Sequence, residues 1–197
     1  MRQNDSLLSG LDSGRMGDLL QEIRHLKESA KERDFLYSLY QEYASISNTG
    51  APSLLVELYL ETVTAQSYGP KMEEFHRQLH NYKKVSASFD RGDYKTPEGH
   101  YGEHKFSYAH ARGGYKYNFV QIRLWQELEF ETFEVYCQGR GLFTFRVPHA
   151  IASSLIQKYG GLAHGTIETN QNEKKEYALR GTVDDSLWNE MIQYRIQ

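Results

Sequence analysis

DRGDYKTPEGHYGEHKFS, running from Asp90 to Ser107, is the stretch on which the fold turns. Thr96, Pro97, Glu98 and Gly99 interrupt it as a hairpin loop does. Ahead of that break, Val85-Ser86-Ala87-Ser88-Phe89 alternates apolar and small polar residues, and Tyr101 to Tyr108 alternates behind it, the pattern of half-buried strands. Side chains two apart on a strand share a face, so Glu103 and Lys105 project together and the paired strand can bring Asp93 alongside. His104, between them, faces the other side, which limits its part in any metal site here to its backbone carbonyl. Two acids and an ammonium converging on one spot suit hydrolysis of a phosphodiester. The acids hold Mg2+, the metal polarises the phosphate and acidifies a water, and the lysine orients or deprotonates that water. The same residues also suit a surface charge cluster on an ordinary hairpin.

Working outward, Gly69-Pro70-Lys71-Met72-Glu73-Glu74-Phe75 opens a helix with Met72, Phe75, His76 and Leu79 at core spacing. On the other side, the glycine-rich basic loop His110-Ala111-Arg112-Gly113-Gly114-Tyr115-Lys116-Tyr117 leads into Asn118-Phe119-Val120-Gln121-Ile122-Arg123-Leu124-Trp125-Gln126.

Asp93, followed after nine residues by Glu103-x-Lys105, resembles the active-site signature of the PD-(D/E)XK nuclease superfamily. Gly92 stands where the written signature has proline. A run similar to Asn118-Phe-x-Gln-Ile-Arg-x-Trp125 follows the Glu-x-Lys strand in a set of type II restriction endonucleases, so the resemblance spans roughly Gly69 to Pro148. It implies an α/β fold with a restriction-endonuclease-like mixed central sheet flanked by helices, and a helical N-terminal portion. It also implies a Mg2+-dependent type II restriction endonuclease that cuts double-stranded DNA to 5′-phosphate and 3′-hydroxyl ends as a homodimer. Asp93 and Glu103 are the implied metal ligands and Lys105 the residue that positions the attacking water. Glu73 is the implied further glutamate from the preceding helix, with Glu74 beside it; acids in a first helical turn also serve the helix dipole. Arg112, Lys116, Asn118, Gln121 and Arg123 are candidates for phosphate or base contacts, since Gln and Asn suit adenine edges and Arg suits guanine. A repair, recombination or phage nuclease of the same fold is the alternative, as is a non-catalytic DNA-binding protein with a structural Asp-Glu-Lys set.

Composition narrows the classes. With 197 residues and 39% hydrophobic content the chain can build a core, read here as a helical region over 1–66 and a nuclease core over 67–197. No apolar run nears the ~20 residues of a membrane helix, and the N-terminus lacks the apolar stretch of a signal peptide. One cysteine, Cys137, forms no internal disulfide and no multi-cysteine zinc site, so a cytoplasmic protein is expected. Net charge is −3, yet nine basic residues and only four acids fall between Phe75 and Trp125. That is the charge pattern of DNA contacts around catalytic strands, and also of an unevenly solvated surface.

Elsewhere, Met16 to Ile46 carries four-three apolar spacing interrupted by Arg33, which fits a dimer seam or one face of a packed helix. A second helix is expected from Pro52 or Ser53 to Gln66. Further strands are expected over Phe130–Gln138 and Leu142–Val147, joined by a tight turn at Gly139-Arg140-Gly141. Residues 118–127 suit a helix as well as a strand. A helix follows Pro148 as far as Gly160-Gly161, then a strand near Tyr177–Leu179 and a short helix with Leu187, Trp188 and Ile192. A histidine-metal nuclease built on His100, His104, His110 and Asn118 lacks the helix such a site needs after its hairpin. His164-Gly165-Thr166 reads as a turn.

Overall fold

A computed structural model describes residues 56, 60, 64–85, 91–163 and 175–196. The expected helix over Met16–Ile46, most of the one ending at Gln66, the body of the Val85–Phe89 strand and the His164-Gly165-Thr166 turn lie outside the described residues. Of the second helix, Val56 and Leu60 are described, both helical and buried.

Helix α1 spans Tyr68–Leu79 and buries Met72, Phe75 and His76, an i, i+3, i+4 stripe. Asn81, at φ 54°, turns the chain after it, a left-handed conformation that asparagine tolerates better than most residues. The short strands β1 (Lys83–Lys84) and β2 (Tyr94–Lys95) pair antiparallel, and β2 pairs in turn with β3 (Tyr101–Ala109). The β2–β3 loop closes through Thr96 N–H to His100 O at 2.8 Å and Gly99 N–H to Thr96 O at 3.0 Å. The loop falls where the sequence puts it, but the strand that leads into it is Tyr94–Lys95, closer to the loop than the expected Val85–Phe89.

Strand β5 (Phe130–Cys137) then lies parallel to β3 on its far side, and β6 (Gly141–Pro148) returns antiparallel to β5. The five-stranded sheet is therefore mixed, in the order β1-β2-β3-β5-β6. A parallel pair needs a long crossover, usually a helix. Here the crossover carries strand β4 (Lys116–Ile122) into a second, antiparallel sheet ordered β4-β8-β7, with β7 at Gly160–Leu162 and β8 at Tyr177–Thr182. Helices α2 (His149–Tyr159) and α3 (Ser186–Met191) complete the order. Asp185 caps α3, accepting from Trp188 N–H at 2.8 Å.

The fold differs from expectation in two places. Residues 118–127 resolve into strand up to Ile122 and a turn beyond it, with Gln126 N–H donating to Arg123 O. The central sheet is also joined by a second sheet that local patterning did not announce. The main core lies between the two sheets, where the Phe119 and Phe133 rings meet at a tilt, 4.8 Å between centroids, and Trp188 meets Phe143 and Phe145 edge-on. A smaller core under α1 joins Met72 and Phe75 to Val56, Leu60, Tyr136 and Leu142. Strand β5 is buried at every position because both cores rest on it.

Candidate active site

The site is built where the β2–β3 hairpin begins. Tyr94 pairs with Gly102, so the next residues outward, Asp93 and Glu103, stand opposite each other. Asp93 Oδ2 accepts the N–H of His104 at 2.9 Å, placing this half-buried carboxylate on the backbone of the Glu103-His104-Lys105 triplet. Gly92 makes the approach possible. Its φ of +75° is closed to proline, and a Cβ there would meet the Gly102 carbonyl oxygen at 2.5 Å.

Glu103 is 2% exposed. One of its oxygens accepts from Lys105 Nζ and the other from Gln126 Nε2 at 3.4 Å. Glu131 pairs in register with Glu103 across the parallel β3–β5 ladder, is fully buried, and has His149 Nδ1 at 3.3 Å. Burial raises the Glu131 carboxyl, His149 and Lys105 oppose that, and the Glu103 charge adds to it. The contact with Glu131 in turn raises the His149 imidazole.

Glu73, on α1, is half-buried. Its carboxyl is raised by burial first and by the Asp93 charge second, against Arg77, His104 and Lys84; Arg77 Nε lies 3.3 Å away. Asp93, Glu103 and Lys105 are thus drawn together at the hairpin, whereas Glu73 stands on α1, which packs on the His104 face of β3. The His104 side chain points to the opposite face, where its Nε2 meets Glu134 at 3.2 Å; only its backbone belongs to the Asp93 side. Glu74 pairs instead with Lys71 and Gln78 along the helix surface.

The expected DNA-contact residues are spread out. Arg112 is exposed in the turn after β3, and Lys116 and Asn118 are exposed on β4. Asn118 N–H donates to Ser107 Oγ at 3.0 Å and its Oδ1 accepts from Arg180. Ser107 is four residues beyond Glu103, about 13 Å along an extended strand. Gln121 is exposed at a bulge with φ 56°. Arg123 is half-buried and donates to Glu176 at 2.9 Å, one turn before Gln126. An open groove of about 450 Å³, lined by Arg91, Tyr101 and Gln126 among others, adjoins the site.

Gln126 and Glu131 were not singled out from the sequence. Glu131 and Glu134 did leave a signal, since both interrupt the apolar run from Phe130 to Cys137 in a strand written for burial on both faces. Buried acids need partners, and those partners, Lys105, His149, His76 and His104, come from distant segments. Among the described residues no helix is long and apolar enough to cross a membrane.

No protein-family model matches the chain. A comparison with curated proteins finds no match either.

Proposed function

We propose that this chain is a Mg2+-dependent DNA endonuclease of the PD-(D/E)XK type, a type II restriction enzyme that acts on double-stranded DNA as a homodimer. The observation that carries the reading is the seating of Asp93 on the backbone of Glu103-His104-Lys105, with the Glu103 carboxylate against the Lys105 ammonium. The order of α1 followed by the hairpin and the mixed sheet support it. Glycine in place of the signature proline fits the left-handed backbone at residue 92.

The donor set suits a hard cation. Asp93 and Glu103 supply carboxylate oxygens and residue 104 a carbonyl oxygen, the ligand type Mg2+ prefers. When bound, the metal supplies charge stabilisation at the phosphate and a more acidic water. Lys105 then orients the attacking water and stabilises charge developing on the phosphate oxygens. Gln126 holds the Glu103 carboxylate in place. Arg112, Lys116, Asn118, Gln121 and Arg123 contact phosphates or bases, and the basic balance of this segment draws the polyanion in.

Purified protein incubated with mixed-sequence duplex DNA and Mg2+ tests the reading. Discrete fragments with 5′-phosphate ends support it. Smears or nicks place the chain among repair, recombination or phage nucleases of the same fold. Intact DNA, with the protein folded and Mg2+ present, overturns catalysis and leaves a DNA-binding role.

A further inference from the structure

Beneath α1, on the sheet face opposite Glu103 and Lys105, three side chains from three elements converge. His76 comes from α1, His104 from β3 and Glu134 from β5, and one candidate ligand atom from each lies within 4.8 Å of the other two. His104 Nε2 is 3.2 Å from Glu134 Oε2, and His76 Nδ1 is 3.6 Å from Glu134 Oε1. All three side chains are almost completely withdrawn from solvent. The two separations run to different oxygens of Glu134, and a set of one atom from each residue closes to within 4.8 Å. A tetrahedral ion with bonds of about 2.0–2.2 Å holds its ligand atoms roughly 3.3–3.6 Å apart, so the three side chains draw together slightly around it. Thr144 Oγ1 donates to Glu134 Oε1 at 3.0 Å, the outer contact that orients a ligating carboxylate.

The ring nitrogens that face Glu134 are His76 Nδ1 and His104 Nε2, and these are the atoms an ion would take. Two imidazoles and a carboxylate gathered at one interior position are costly next to an apolar filling. The cluster is also unnecessary for the proposed reaction, which uses the other face of β3. We infer that His76, His104 and Glu134 form a structural binding site for a transition-metal dication of the Zn2+ class, a water completing the four ligands. Two imidazoles and one carboxylate suit such an ion, whereas Mg2+ favours oxygen ligands in octahedral array and sheds its waters reluctantly. The ion ties α1 to β3 and β5. His76 lies one turn beyond Glu73, and His104 lies between Glu103 and Lys105, so the tie also sets the helix against the candidate catalytic strand.

The test uses the full chain carrying Asp93→Asn, which removes the proposed Mg2+ site. After chelator treatment and exchange into metal-free buffer, the protein is titrated with Zn2+ alone. Retention of about one Zn2+ per chain after desalting, with a higher melting temperature and no displacement by excess Mg2+, is expected. His76→Gln and Glu134→Gln should abolish retention. Thr144→Val should weaken it about 10–100-fold. Should the ligand variants fail to fold, Co2+ substitution in the parent protein decides: intense tetrahedral visible absorption supports the site, and weak octahedral absorption or none overturns it. No retained Zn2+, or equal retention in folded His76→Gln and Glu134→Gln proteins, also overturns it.

Discussion

Strand β3 presents two different polar constellations on its two faces. On one, Glu103 and Lys105 meet Asp93, Gln126 and Glu131 beside an open groove. On the other, His104 meets Glu134 and His76 under α1, with Tyr94 hydrogen-bonded to Thr132 at 2.5 Å nearby. Burial alone does not separate the two, because Glu103 and His104 are both withdrawn from water. The difference lies in what surrounds each acid. Glu103 accepts from the Lys105 ammonium and from Gln126, with Glu131 beside it in the β3–β5 ladder and solvent close by in the groove. Glu134 is opposed by burial, but hydrogen bonds and charge from His104 and His76 hold its carboxyl well below the usual carboxylate range. A face that gathers Asp93, Glu103 and Lys105 beside an open groove is arranged for a cation or a reacting group. A face that satisfies its acid is arranged to hold elements together.

The largest expected effect separates the faces by activity. Glu103→Gln, Asp93→Asn and Lys105→Ala should each lower DNA cleavage by roughly 10²-fold or more, the scale of losing one group that stabilises a transition state. Undiminished cleavage by the Lys105→Ala protein would break the comparison on its catalytic side.

Stability separates them in the opposite sense. Glu134→Ala should cost about 1–3 kcal/mol in urea denaturation of metal-free protein, since it leaves two buried imidazoles without their shared acceptor. A decrease below about 1 kcal/mol would show that the sealed face contributes little to holding α1 on the sheet.

A smaller effect belongs to the second sheet, which covers the Glu103 side through Phe119 and Phe133. Arg112→Ala with Lys116→Ala should weaken all DNA sequences alike. The slope of log affinity against log salt should fall by about 0.9 for each phosphate that the protein no longer neutralises. Equilibrium binding in Ca2+ at several salt concentrations measures it. An unchanged slope would move the DNA surface away from β4.

The smallest effect is Cys137, at the end of β5. Burial first, with Asp184 adding and Arg140 opposing, pushes its thiol up to about 11 from an ordinary 9.0. A raised pKa favours the protonated form in the folded chain. The stability it contributes is therefore complete below about pH 9 and lost as pH rises toward 11. The stability difference between wild type and Cys137→Ala should be flat up to about pH 9 and shift against the wild type above it. Alkylation at neutral pH should require unfolding.

Local patterning made much of this legible. The apolar stripe of α1, the Thr96–Gly99 loop, the Gly139–Gly141 turn and the helix after Pro148 all follow from short-range spacing and turn chemistry. The ambiguity at residues 118–127 has a physical origin. Tyr117 and Phe119 keep a period of two, but the bulge at Gln121 moves the next buried residue to Ile122, and a spacing of two then three imitates neither strand nor helix.

By itself, then, the sequence determined which residues share a face of β3, and so that Glu103 and Lys105 stand together while His104 stands apart from them. A two-residue period imposes that wherever the strand is placed. Only the tertiary structure decided which acids meet them. Glu131 faces Glu103 because β5 pairs parallel to β3 in one register, reached through a crossover that detours into a second sheet. Glu134 meets His76 because α1 packs on the opposite face. Strand order and register come from long-range packing of two cores against β5, and nothing in a local pattern names the partner a strand will find.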